Sequence, residues 1–129
     1  MKILVISDIH GNAEALNAVL ANENDADRII FLGDALLSGP QALKTAQRMG
    51  ELDIDITIMG NHDKDVLEPA SYASWPKQWV ALNNGLIAHL EPEHIRALES
   101  YQPAGRFQIG ALDMYLHHGQ LDKAIPPPL

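Results

Sequence analysis

The sequence has no cysteine, and this absence excludes a disulfide scaffold, a thiolate metal site and a thiol nucleophile. It has no apolar run approaching the ~18 residues that a membrane-spanning helix needs. Basic residues are few: 9 Lys and Arg stand against 17 Asp and Glu, so the formal net charge is −8. This balance argues against nucleic-acid binding by charge and against binding to anionic membranes. The N-terminal apolar run, residues 3–6, is too short for a signal peptide, so we expect a cytoplasmic protein.

Length and composition favour a single folded domain. The 129 residues are 47% hydrophobic and 20% charged, which is typical of a globular protein. A chain of this size buries roughly two-thirds of its unfolded surface, which suffices for a hydrophobic core. We therefore expect one domain over residues 1–129.

Hydrophobic patterns in the first half predict strands that alternate with helices. Apolar, β-branched runs predict three strands, at residues 3–6, 28–32 and 54–59. Helical spacing predicts two helices between them, at residues 12–20 and 40–50. Asn12 is expected to cap the first helix, and Pro40 to open the second. Short connections imply right-handed crossovers, so we predict an α/β fold with a parallel sheet and flanking helices.

The second half has a less regular pattern. It predicts two helices, at residues 70–82 and 92–101, and a hairpin of residues 106–109 with 114–117. Trp75 and Trp79 are expected in the core or at a helix cap. His89 and His94 lie away from any motif, and we expect them on the surface.

Each predicted strand of the sheet is followed at once by polar residues. These segments are Asp8-Ile9-His10-Gly11-Asn12, Gly33-Asp34 and Gly60-Asn61-His62-Asp63. Singly they are weak signals, because Asp after a strand is commonly a cap or turn residue. In a parallel sheet, however, the carboxyl ends of the strands lie side by side, where open α/β folds place their sites. We therefore expect the three segments to converge on one crevice.

The donor atoms in these segments predict a metal centre. Carboxylate oxygens and imidazole nitrogens without sulfur suit Mn, Fe or Zn, with Mg or Ni as further options. Two such ions about 3.5–4 Å apart can clamp a phosphate and generate hydroxide at neutral pH. A carboxylate that bridges two ions must follow the central strand, and Asp34 occupies that position.

The three segments, in this order and spacing, resemble the calcineurin-like metallophosphoesterases. The first segment, with Gly33-Asp34 and Gly39-Pro40, is similar to the bacterial phosphodiesterase-like branch. The resemblance implies the leading part of an α/β/β/α sandwich. It also implies a metal-dependent phosphoric ester hydrolase, a phosphodiesterase in particular, that attacks in line with a metal-bound hydroxide. The protein Ser/Thr phosphatases carry an Arg shortly after Gly-Asp, whereas residues 35–38 here are Ala-Leu-Leu-Ser, which disfavours that branch.

The resemblance also assigns roles to individual residues. Asp8 and His10 would hold the first of two metal ions, Asp34 would bridge, and Asn61 would hold the second. His62 is similar to the histidine that protonates the leaving oxygen or stabilises the phosphate charge, and is the expected catalytic residue.

His118 is the expected fifth metal ligand. Followed by Gly119, it fits the family's histidine at the end of a later strand. The alternative for His118 is an ordinary polar residue at a strand end.

The family pattern continues with a Gly-His-x-His motif and further strands, which are absent from these 129 residues. The domain is then C-terminally incomplete, and three explanations compete. The chain is a fragment of a longer enzyme, a naturally short protein completed by a partner, or a non-catalytic, vestigial metal-binding or interaction protein that assembles through its incomplete sheet. A nucleotide-binding switch is disfavoured, because no Gly-rich loop follows the first strand. We expect an unpaired edge and an uncovered sheet face near residues 106–118 to promote homodimerisation or a domain swap.

Overall fold

The computed structural model describes residues 1–119, and in these residues it contains five strands and six helical segments. In chain order the elements are β1 (Ile3–Ile6), α1 (Ala13–Asn22), β2 (Arg28–Phe31), α2 (Ala42–Gly50), β3 (Ile56–Thr57), α3 (Asn61–Leu67), a 3-10 helix (Pro69–Tyr72), α4 (Lys77–Ala88), α5 (Pro92–Glu99), β4 (Gly105–Ile109) and β5 (Leu112–Leu116). Within the described residues, no helix has the length and apolar character needed to cross a membrane.

Strands β1, β2 and β3 form a parallel sheet with β2 in the centre. The predicted α/β class and the parallel sheet are thereby confirmed, and Asp34 does follow the central strand. Strand β3 is shorter than expected, although the N–H groups of Asp55 and Ile58 on either side still donate to carbonyls of β2. Strands β4 and β5 form the predicted antiparallel hairpin, which closes through Gly110 in the left-handed region with φ +58°.

The core lies between the sheet and the helices that flank it. Phe31 of β2 packs there with residues of four helices, namely Leu16, Ala42, Val66 and Leu98. Side chains alternate along a strand, so Ile30 points to the opposite face, together with its β1 partner Val5. Ile30 is 1% exposed but Val5 is 53% exposed. The open part of this face therefore lies at β1, which is an edge strand of the described sheet.

Helix α1 begins as expected, whereas α2 does not. The Asn12 side chain accepts a hydrogen bond from the N–H of Ala15 at 3.0 Å, which confirms the cap. The prediction that Pro40 opens α2 was wrong, because the helix starts at Ala42 and Gln41 precedes it. Gln41 is bound to the first loop: its N–H donates to the Gly11 carbonyl, and its side chain accepts from the N–H of Ala13.

The predicted helix at residues 70–82 is in fact two helical segments. Pro76 lies between them and precedes α4, which continues beyond the predicted end to Ala88. A proline cannot donate the hydrogen bond that a continuous helix would need at this point. The short helix α3 had not been predicted.

Several side chains lie elsewhere than expected. His94 was predicted on the surface but is 9% exposed, because its Nδ1 accepts the N–H of Glu91 at the start of α5. Trp79 was predicted to be buried or capping but is 46% exposed on α4. Trp75 is half-buried, and His89 is exposed as predicted.

Asp63 joins the loops that carry two of the polar segments. Its carboxylate is 1% exposed and accepts the backbone N–H groups of Asp34 at 2.8 Å, Ala35 at 2.9 Å and Gly60 at 2.8 Å. Burial raises the pKa of Asp63, and the three hydrogen bonds act in the opposite direction. No role for Asp63 was predicted from the sequence, although an acidic residue at the third position of a helix commonly accepts the N–H of the residue before that helix.

We expect Asp63→Asn to lower the free energy of unfolding by about 2–4 kcal/mol. The amide keeps the shape of the side chain but sets an N–H₂ group against buried N–H donors. Urea unfolding measures the effect, with the exposed Asp113→Asn as the matched control. Equal unfolding midpoints for the two variants would contradict this role of Asp63.

Candidate metal centre

Three predicted ligands meet at the carboxyl edge of the sheet. Asp8 follows β1, Asp34 follows β2, and His118 follows β5. One ligand atom from each lies within 4.8 Å of the other two. The Nε2 of His118 is 3.1 Å from Oδ2 of Asp34, across 84 residues of sequence. The tertiary fold thus brings together groups that could hold a divalent cation.

His10 adjoins this cluster. Its Nε2 lies 3.2 Å from Oδ1 of Asp8 and 3.7 Å from Oδ2 of Asp34. Its Nδ1 contacts the Leu37 carbonyl at 2.6 Å, and Nδ1 of His118 contacts the Leu32 carbonyl at the same distance. A carbonyl only accepts, so each Nδ1 donates, and each Nε2 is directed to the carboxylates. Metal-ligating histidines are usually oriented in this way, so the donor set fits a bound cation.

Asp34 lies in the middle of the cluster. Its side chain is 3% exposed, its Oδ2 faces the two imidazoles, and its Oδ1 accepts the backbone N–H of His62 at 2.9 Å. This is the place that the sequence predicted for a bridging carboxylate. Its burial and its several partners fix the carboxylate in one orientation.

The backbone of the described residues departs from ordinary geometry at the same positions. Among residues other than glycine, positive φ values occur at Asp8 (57°), His10 (48°) and Asp34 (65°). The left-handed conformation costs roughly 1–2 kcal/mol for a residue with a side chain, although Asp and His tolerate it better than most. Strain of this kind concentrates at functional sites, where surrounding contacts stabilise it.

Two glycines allow the loops to approach each other closely. A Cβ atom on Gly39 would lie 1.6 Å from the carbonyl oxygen of His10, and one on Gly60 would lie 2.3 Å from Oδ1 of Asp34. Neither position can accommodate a side chain without moving a candidate ligand. The glycines of these segments therefore serve the packing of the site.

The charges of the cluster favour a cation. The hydroxyl of Ser7 donates to Asp8 and holds the pKa of that carboxyl below its usual value. Burial acts to lower the pKa of His118, but the Leu32 carbonyl and the neighbouring carboxylates raise it above its usual value. A metal ion bound here would displace the proton that His118 otherwise attracts.

Asn61 and His62 lie beside the cluster at the start of α3. Asn61 is the exposed first residue of that helix, and it directly precedes His62, whose backbone N–H donates to Asp34. The His62 ring centroid is 5.7 Å from that of His10, in an edge-to-face arrangement. The ring of His62 therefore lies next to that of His10, one of the candidate metal ligands.

Comparison with known proteins places these features in a family. The family model for calcineurin-like phosphoesterases matches residues 1–123. A solved metallophosphoesterase from Sphaerobacter thermophilus shares the fold with a TM-score of 0.70 and 31% identity, over 88% of this chain and 45% of that one. The phosphoesterase Yfce from E. coli has a TM-score of 0.57 and 22% identity, over 100% of this chain and 64% of that one, and supports the fold alone.

A curated relative matches a shorter part of the chain. The uncharacterized protein MJ0912 of Methanocaldococcus jannaschii is 40% identical over 67 residues, which are 50% of this chain and 27% of that protein. The chain thus spans less than half the length of this relative and of the Sphaerobacter protein. The family match and the shared fold confirm the resemblance seen in the sequence, and the chain belongs to the calcineurin-like phosphoesterase family.

Proposed function

We propose that this chain forms the metal-binding part of a phosphodiesterase that hydrolyses phosphate diesters with divalent cations. The observation that carries the proposal is the arrangement of His10 and His118. Both rings donate Nδ1–H to a backbone carbonyl and direct Nε2 to the carboxylate of Asp34. Imidazoles oriented in this way around a buried carboxylate form a site for a cation.

The proposal assigns the candidate ligands to two cations. Asp8 and His10 hold one cation, Asp34 bridges to a second, and Asn61 and His118 provide the remaining described ligands. Oxygen and nitrogen donors without sulfur favour Mn, Fe or Zn. Bound cations would neutralise the charge of the phosphate and activate water at neutral pH.

His62 has a different role in the proposal. It borders the cluster, and its backbone N–H, not its ring, contacts Asp34. Its ring is part-buried and its Nδ1 lies against Asp65, so Nε2 is the ring nitrogen that remains for a substrate. We assign His62 to proton donation to the leaving oxygen or to stabilisation of the phosphate charge.

One observation favours the alternative of a non-catalytic metal-binding protein that assembles through its sheet. Val5 is 53% exposed on β1, which is an edge strand of the sheet that residues 1–119 form. Unpaired strand edges with apolar side chains promote pairing with another chain. We propose that such pairing forms a homodimer, whether or not the site is catalytic. The cytoplasmic location stays a prediction of the sequence.

Asp34→Asn tests the metal site. The amide keeps the shape of the side chain but loses the negative charge at the centre of the cluster. We expect Mn²⁺ affinity to fall by at least about tenfold, together with hydrolysis of an aryl phosphodiester. Isothermal titration with Mn²⁺ measures the affinity, and the exposed Asp113→Asn serves as the control. Unchanged Mn²⁺ affinity in Asp34→Asn would overturn the proposed site.

His62→Ala tests the catalytic role. We expect turnover of the aryl phosphodiester to fall by about 10²–10⁴, while bound metal stays at the wild-type level. Steady-state kinetics and metal analysis on one preparation measure both quantities. His89→Ala, which changes an exposed histidine on the far end of α4, is the matched control. A parallel loss of metal and turnover would instead make His62 a ligand.

Val5→Lys tests the proposed assembly. A charge on an edge strand opposes strand pairing, so we expect the variant to sediment as a monomer at concentrations at which the wild type dimerises. Val19→Lys is the control, because Val19 is also exposed, at 39%, but lies on α1. Sedimentation velocity over a range of concentrations provides the measurement. A wild type that is monomeric throughout would refute the homodimer.

A further inference from the structure

We infer that Asp65, supported by the hydroxyl of Ser71, is a positioning residue that fixes the ring of His62 toward the substrate. The inference rests on the proposed function, because it assigns a partner to the histidine placed there beside the phosphate. Asp65 lies outside the polar segments singled out by the sequence and outside the cluster of Asp8, Asp34 and His118.

The geometry of the pair is specific. Asp65 lies three residues after His62 on α3, so both side chains occupy the same face of the helix. Oδ2 of Asp65 is 3.0 Å from Nδ1 of His62, and Oδ1 accepts the hydroxyl of Ser71 at 2.5 Å. Both carboxylate oxygens are thus engaged, one by the histidine and one by the neighbouring 3-10 helix.

Burial distinguishes this pair from an ordinary ion pair on a helix surface. Exposed pairs of this spacing contribute little and do not hold one geometry. Here the side chains of His62 and Asp65 are only 28% and 13% exposed. The support from Ser71 comes from a different element, so the carboxylate is held on two sides.

The rest of the surroundings also restrict the ring of His62. Trp75 packs edge-to-face against it, with ring centroids 5.8 Å apart. The ring of His62 therefore has two aromatic neighbours, Trp75 and His10. The backbone N–H of His62 is bound to the carboxylate of Asp34. Because Nδ1–H is directed to Asp65, Nε2 is the ring nitrogen left to face a substrate, and it donates to a phosphate oxygen when it also carries a proton. A histidine fixed in this way is ready to contact a phosphate ester without first reorienting.

A double-mutant cycle separates action through His62 from any other effect of Asp65. Asp65→Ala should lower kcat for the aryl phosphodiester by about tenfold to hundredfold, with little change in KM or in bound Mn²⁺. In the His62→Ala background, the same change should lower kcat by less than about twofold, because its target is gone. The exposed Asp53→Ala, at the opposite end of the sheet, is the control.

The cycle has outcomes that contradict the inference. An equal loss in both backgrounds would show that Asp65 acts independently of His62. Normal turnover of Asp65→Ala, with His62→Ala impaired, would overturn the role of Asp65 and leave the proposed function intact. Normal turnover of His62→Ala would overturn the inference together with the catalytic role of His62. Ser71→Ala, a milder change, should lower kcat severalfold, and unchanged kcat would remove Ser71 from the arrangement.

An independent measurement does not require activity. Nitrogen-15 NMR distinguishes the two tautomers of a histidine, and the signals of His62 are identified by their loss in His62→Ala. At a pH at which the imidazole is neutral, we expect the Nδ1–H tautomer in the wild-type chain and a shift toward Nε2–H in Asp65→Ala. A wild-type His62 in the Nε2–H tautomer would overturn the inference directly.

Discussion

Asp63 accepts three backbone N–H groups from two loops, and these hydrogen bonds fix the two loops against each other at the candidate metal centre. One loop carries Asp34 and the other carries Asn61 and His62. Without the carboxylate, the buried N–H groups would have no partner, and the loops would have no fixed separation. A single buried carboxylate thus sets the separation of the loop that carries Asp34 from the loop that carries Asn61 and His62.

The rigidity of these loops explains why the strained conformations persist. Asp8, His10 and Asp34 all have positive φ, and the glycines beside them leave no space for a Cβ. Each feature costs free energy by itself, but the parallel sheet and the helices packed on it stabilise the combination. The result is a site whose candidate ligands are held in place by the backbone as well as by their side chains.

Each of the three imidazoles around the site has an acceptor at Nδ1, but the acceptors differ. His10 and His118 donate Nδ1–H to backbone carbonyls, as neutral metal ligands do. His62 has a carboxylate, Asp65, at the same ring position. A carboxylate partner suits a histidine that handles protons during catalysis, as in other acid–base sites. His62 thus differs from the two proposed ligands in the partner of its Nδ1.

The sequence by itself determined the strands, the parallel order and the meeting of the polar segments at one edge of the sheet. These follow from local patterns, since apolar runs and their spacing dictate which ends of strands are neighbours. The cap at Asn12 was also local, because its partner is three residues away. The start of α2 and the hydrogen bonds that Asp63 accepts from Asp34 and Ala35 were decided by the tertiary structure. Gln41, for example, is bound to a loop about 30 residues earlier, through contacts of its backbone and side chain. Such partners are distant in sequence, so no local pattern marks them, and only the packed chain brings them within hydrogen-bonding distance.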